Sequence, residues 1–246
     1  MRRHSYTIAE LLTVIAIIAI LASIAIPTVG YARRRARRTA CVSNQGQTTK
    51  LLLTAMGNHK NFLYSGSASG EPSTNGVATS KASWSRFLAE KDYIKNMDVL
   101  RCPEMDYKTN GAILNADSIK EAYGVVVADD SVDGKFDFRG SKLLTLDDTD
   151  KTKVAPGALV LGGCATKDKK PIEKLDPVDS GTYGNFTDMH SQFTNVFYYD
   201  GHSESVRKEE LCSGRYYPTA KVKDGKLCLN AVAITEDNLV WVKAFK

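Results

Sequence analysis

From Tyr6 to Pro27 the chain reads YTIAELLTVIAIIAILASIAIP, an apolar run long enough to enter a bilayer, interrupted by a single acid, Glu10, near its start. No further proline occurs between Thr28 and Asn58, and helix formers dominate there. The pattern predicts one helix that kinks at Pro27 and continues to about Asn58. In its second half Val42, Thr49, Leu52, Leu53 and Met56 recur at helical spacing and should cover a soluble domain, while Gly46 weakens the middle. At ~1.5 Å per residue such a stem is roughly 80 Å long, half in membrane and half on the domain.

The pattern then changes. Residues 65–81 (SGSASGEPSTNGVATSK) are short of apolar positions and read as an exposed loop. A second helix is predicted from Ser83 or Ser85 as cap through Ala89 or Lys91, burying Trp84, Phe87 and Leu88. Beyond Cys102-Pro103 short strands are expected over 122–128, 158–162, 195–199, 202–207, 219–223, 226–234 and 239–245. Asp200-Gly201 and Asp224-Gly225 sit between strand-like runs as two-residue hairpin signals. The fold class is therefore α+β, a long helix packed on an antiparallel sheet.

Composition narrows the function classes. With 246 residues, 43% of them hydrophobic, and one membrane-length run, the chain has room for one soluble domain of moderate size. The net charge of +5 falls by two if Arg2 and Arg3 leave with a leader, which argues against a globally basic nucleic-acid binder. Much of the positive charge lies in Arg33, Arg34, Arg35, Arg37 and Arg38, expected to meet lipid phosphates. A carboxylate deep in a membrane costs about 2.5 to 3.5 kcal/mol, so Glu10 calls for a partner or a purpose; its bland role is to snorkel to the interface.

The residues Ser5-Tyr6-Thr7-Ile8-Ala9-Glu10-Leu11-Leu12, behind a short basic head and closed by Pro27, resemble the class III signal of type IV prepilins and type II secretion pseudopilins. The resemblance implies that a membrane aspartyl peptidase cuts between Ser5 and Tyr6 and methylates the new amine of Tyr6; the family more often has Gly and Phe at these two positions. It also implies that Glu10 of one subunit pairs with the terminal amine of its neighbour during filament assembly, an arrangement that offsets the burial of both charges. The arginine cluster would favour a cytoplasmic domain by the positive-inside rule, whereas the resemblance places that domain in the periplasm. On the resemblance, the expected location of the domain is the periplasm. Cys41-x-x-Asn44-x-x-Gln47, Trp84 with Leu88 and Tyr93, Cys102-Pro103, and His190 followed by Asp200-Gly201-His202 are similar to a narrower group, the pilin-like proteins of planctomycete and verrucomicrobial bacteria. Residues 109–174 match that group poorly.

His190, Asp200 and His202 are metal-ligand types, but a hairpin already explains Asp200 and Gly201, and His190 is expected to hydrogen-bond that turn. Asp129, Asp133 and Asp137 half match a calcium loop whose closing position holds Gly140 in place of the bidentate Glu; a solvated turn is the preferred reading. Five cysteines in an envelope protein point to disulfides with one thiol over. Cys41 with Cys102, both in family-like motifs, would tie stem to domain; Cys212 with Cys228 would staple the C-terminal meander; Cys164 would stay free. The alternative is that all five are reduced. Without a C-x-x-C pair, structural zinc is not expected, and neither is any cofactor.

The reading that results is a non-catalytic, pilin-like subunit: leader 1–5, transmembrane helix 6–29, amphipathic stem 30–60, and a periplasmic α+β domain 61–246. It would sit in the bacterial inner membrane as a single-pass protein, and its partners would be other pilin or pseudopilin subunits, the prepilin peptidase and the assembly platform, with no specific nucleic acid. The rival is a membrane-anchored envelope enzyme or metal-dependent binder built on His190, Asp200 and His202.

Overall fold

The computed structural model describes residues 7–58, 62–64, 69–72, 78–80, 84–105, 122–126, 135–137, 145–146, 154–168, 170–172, 174–178, 183–223 and 226–243. It divides into two units, one ending at Arg37 and one beginning at Arg38. Ser5, Tyr6, Asp129, Asp133 and the Asp224-Gly225 turn lie outside the described residues.

Helix α1 (Ile8–Asn58) runs through Pro27 without a break. Its start is a capping box: Thr7 Oγ1 accepts from the Glu10 N–H at 3.3 Å, and Glu10 Oε2 accepts from the Thr7 N–H at 2.8 Å. The first stretch is apolar on every side and exposed, with Ile8 and Ile26 at 80% and 74%. An 18-residue window of α1 is long and apolar enough to cross a membrane. Its hydroxyls are turned inward: Thr13 Oγ1 donates to Glu10 O at 2.9 Å, Ser23 Oγ to Ile20 O at 2.7 Å and Thr28 Oγ1 to Ala25 O at 2.8 Å. Polar side chains that bond their own helix suit a segment without water around it.

Within the second unit, α1 buries Cys41, Gln45, Thr48, Thr49, Leu52 and Ala55. This is the i, i+4, i+7 stripe of a packed helix, and it contains more polar residues than the apolar pattern suggested. Val42 and Leu53, expected inside, are only half-buried. The polar members are there because they bind neighbouring backbone: Thr48 Oγ1 donates to Val99 O at 2.9 Å, and Asn44 Nδ2 reaches the carbonyls of Asp98 and Arg101, each at 3.2 Å. Gly46 has a packing reason. A Cβ there would stand 3.2 Å from Ser203 Oγ, which donates to Val42 O at 2.8 Å.

Among the described residues two short helices, α2 (Trp84–Glu90) and α3 (Lys208–Leu211), accompany sixteen strands. These are β1 (Phe62–Tyr64), β2 (Ser69–Pro72), β3 (Ala78–Ser80), β4 (Gly124–Val126), β5 (Lys135–Asp137), β6 (Thr145–Leu146), β7 (Val160–Gly163) and β8 (Ala165–Lys167), followed by β9 (Lys170–Pro171), β10 (Lys174–Leu175), β11 (Asn185–Thr187), β12 (Thr194–Tyr198), β13 (Ser203–Val206), β14 (Tyr216–Lys223), β15 (Lys226–Ala233) and β16 (Trp241–Val242). The central sheet has the order β10-β4-β7-β12-β13, antiparallel except for the β10–β4 pair. A second sheet runs β16-β11-β8-β9, and β14-β15-β6 forms a third. The α+β class is present, with its strands spread over several sheets and with parallel pairs at β10–β4, β11–β16 and β15–β6.

Two local expectations are corrected. The segment read as an exposed loop contains β2 and β3, which pair antiparallel, so its polar composition hid a strand pair. The Asp200-Gly201 turn is wider than a two-residue hairpin: Phe197 faces Ser203, and the Gly201 N–H closes on Tyr198 O at 3.1 Å with Gly201 at φ +95°. A glycine in the left-handed region fits the longer turn at no steric cost. At the other signal, Lys223 faces Lys226 across β14 and β15, as a two-residue connection requires.

Candidate metal centre

Four side chains from four separate places in the chain meet in the core of the second unit. Cys41 comes from α1, and Cys102 follows the 3₁₀ turn Met97–Leu100 that Asn44 and Thr48 hold against the helix. Cys164 sits where the chain leaves β7 of the central sheet for β8 of the second sheet, and His190 lies on the return from β11 to β12. Backbone bonds fix both crossings: the Cys164 N–H donates to Asn195 O at 2.9 Å, the Thr187 N–H to Cys164 O at 3.2 Å, and the His190 N–H to Phe193 O at 3.1 Å.

Their donor atoms all lie within 4.8 Å of one another. Cys41 Sγ is 3.5 Å from Cys164 Sγ, and His190 Nε2 is 3.2 Å from Cys102 Sγ and 3.7 Å from Cys164 Sγ. The three cysteines are 0% exposed and His190 is 4% exposed. Around them, Gln45 Nε2 donates to Asn195 O at 3.0 Å and points at Cys164 Sγ from 3.5 Å. The Tyr123 hydroxyl donates to Arg101 O at 2.8 Å and lies 3.4 Å from Cys41 Sγ. His190 Nδ1 is buried with no hydrogen-bond partner among the described residues, so backbone and packing hold the ring.

No protein family matches this chain, and no curated protein or solved structure does. The site stands on its own geometry.

Burial disfavours the charged thiolate and pushes the Cys102 and Cys164 thiols well above the ordinary thiol range. At Cys41 burial pushes the same way, but hydrogen bonds from Cys102, Cys164 and His190 outweigh it and hold this thiol well below that range. Charge on the buried thiols is therefore favoured by an arriving positive charge.

The expected Cys41–Cys102 disulfide is absent: both residues are thiols, gathered with Cys164, the cysteine expected to stand alone. Cys212 is a half-buried thiol as well, and the side chain of its expected partner Cys228, in β15, lies outside the described residues. His190, Asp200 and His202 do not form one site. His190 turns to the cysteines and not to the hairpin, whereas His202 Nδ1 bonds Asp200 Oδ1 within the turn and stacks on Tyr198 at 4.1 Å. Burial would raise the Asp200 carboxyl, but the backbone and ring hydrogen bonds from His202 keep it below its ordinary value. Asp137 falls in β5, paired with β1, and the calcium-loop reading otherwise rests on residues outside the described ones.

Gln47, quoted in the motif after Cys41, is exposed, and Gln45 is the residue that enters the site. Of the arginine cluster, Arg38 has a partner within the second unit. Its guanidinium stacks 4.2 Å over Phe193, whose ring Arg207 also approaches at 5.0 Å.

Proposed function

We propose that this chain is a membrane-anchored structural subunit of a type II secretion pseudopilus or type IV pilus-like filament, matured by cleavage between Ser5 and Tyr6 and methylation of Tyr6. The observation that supports it is the chemical division of α1. One uninterrupted helix is apolar and exposed over its first stretch and buried along a stripe from Cys41 to Ala55 in the second unit. A helix that is hydrophobic all round requires lipid or other helices about it, and a filament core supplies the second. In this reading the domain lies in the periplasm, and the chain's partners are like subunits, the prepilin peptidase and the inner-membrane assembly platform. The rival built on His190, Asp200 and His202 is weaker because those side chains do not come together: His190 turns to Cys102, and His202 bonds Asp200 within its turn.

The mass of the full chain, extracted from membranes of its native host, tests the proposal. Expected is loss of residues 1–5 and gain of one methyl group. The Ser5→Leu variant should insert normally and keep its leader, because the peptidase has to accommodate a small residue before the cut. Mature-size protein from Ser5→Leu, or an intact leader on the wild-type chain, overturns the reading.

A further inference from the structure

We propose that Cys41, Cys102, Cys164 and His190 together bind one zinc ion in a closed, structural Cys₃His site that clasps α1 to both sheet crossovers. The inference does not depend on the filament reading.

Geometry carries it first. A tetrahedral zinc ion with bonds of about 2.3 Å to sulfur and 2.0–2.1 Å to nitrogen has ligand-to-ligand edges of roughly 3.5 to 3.8 Å. The Cys41–Cys164 sulfur separation of 3.5 Å and the distances of 3.7 and 3.2 Å from His190 Nε2 to Cys164 Sγ and Cys102 Sγ each need a shift of no more than about 0.4 Å to match their edges. The donor set comes second. Three thiols and an imidazole with no oxygen ligand suit zinc and reject magnesium or calcium, which take oxygen.

Parity is the third point. A disulfide among Cys41, Cys102 and Cys164 would leave a third buried sulfur and His190 without a role, whereas one tetrahedral ion uses all four groups. Coordination forms three Zn–S bonds and one Zn–N bond, and any thiol protons still present leave to solvent. The product carries one net negative charge, and the Gln45 amide directed at Cys164 Sγ partly offsets it. Placement gives the consequence. The four ligands belong to α1, to the segment after Met97–Leu100, and to the two chain passages between the central and second sheets. One ion therefore joins parts of the chain that are 123 residues apart at Cys41 and Cys164 and farther still at Cys41 and His190.

The experiment is elemental analysis of the full chain, extracted in detergent and purified without chelator or metal-affinity tag. One zinc per chain is expected, retained in Cys212→Ser and lost in Cys164→Ser and His190→Gln. Since those ligand variants risk misfolding, wild-type chain stripped by a chelator is also titrated with Co²⁺. One equivalent should give the intense visible bands of a tetrahedral thiolate site, and added Zn²⁺ should bleach them. Trace metal with no cobalt colour, stoichiometric iron in place of zinc, or a disulfide among Cys41, Cys102 and Cys164 in unreduced peptide maps each overturns the proposal. Zinc content is independent of leader processing, so failure here leaves the mass test intact, and the reverse holds.

Discussion

Tyr198 of β12, Glu204 of β13 and Arg215 close a polar triangle, with the Tyr198 ring buried in the core. The Tyr198 hydroxyl donates to Glu204 Oε1 at 2.6 Å, and Arg215 reaches Tyr198 through Nε at 2.9 Å and Glu204 through Nη2 at 3.0 Å. Burial would raise the Glu204 carboxyl, but the bonds from Tyr198 and Arg215 hold it below the ordinary glutamate value. A carboxylate depressed in the folded state adds stability above its unfolded value and loses it as the pH falls through the folded one. Glu204→Gln should therefore lower stability by about 1 kcal/mol at neutral pH, the scale of a partly exposed charged hydrogen bond. The gap between variant and wild type should close as the pH drops below the usual glutamate range. Chemical denaturation from neutral to acid pH reads this, and a gap independent of pH would show that the charge of Glu204 is not what matters.

At the scale of elements, the contact that organises the site is α1 against the Met97–Leu100 turn. Asn44 supplies two donors to the carbonyls of Asp98 and Arg101, the latter one residue before Cys102. Asn44→Ala leaves both carbonyls without that partner and should cost about 1–3 kcal/mol. Because Cys102 rides on this segment, the zinc affinity of the variant should fall roughly 10- to 100-fold, as for other residues that orient a ligand. Competition with a chromophoric chelator measures it. Lowered stability with unchanged zinc affinity would show that the turn does not set the position of Cys102. The loop-like segment that contains β2 and β3 was illegible for a related reason: Ser, Gly and Pro carry weak strand signals, and only pairing gives them the strand conformation.

At the scale of the whole molecule, Glu10 decides whether α1 is only an anchor. In the single chain its carboxylate already accepts from the Thr7 N–H at 2.8 Å and from the Thr7 hydroxyl at 2.9 Å. Assembly through the Tyr6 amine of a neighbouring subunit would exchange these bonds for an ion pair. Glu10→Gln separates the two roles, since glutamine serves in a capping box but carries no charge. Co-expressed with wild type, the variant should enter the membrane as well or slightly better and be depleted from sheared filaments, with the melting of the second unit unchanged. Equal incorporation of variant and wild type would reduce Glu10 to a helix cap.

What the sequence determined by itself is whatever local periodicity and composition encode. The apolar run, the helix through Pro27 to Asn58, helix α2, the strands at 160–163, 194–198, 203–206 and 226–233, and the position, though not the width, of the turn at Asp200-Gly201 all follow from spacing within a few residues. Only the tertiary structure decided which of these meet. Cys41, Cys102, Cys164 and His190 carry no short-range signature, because each stands alone on its own element and acquires neighbours only when the crossovers between two sheets close beneath α1. Cysteine counting favoured pairs, and the absence of a C-x-x-C spacing argued against a metal; both rules read neighbours along the chain. A site assembled from residues as far apart as Cys41 and Cys164 is invisible to them, since their separation of 3.5 Å is a property of the packed core.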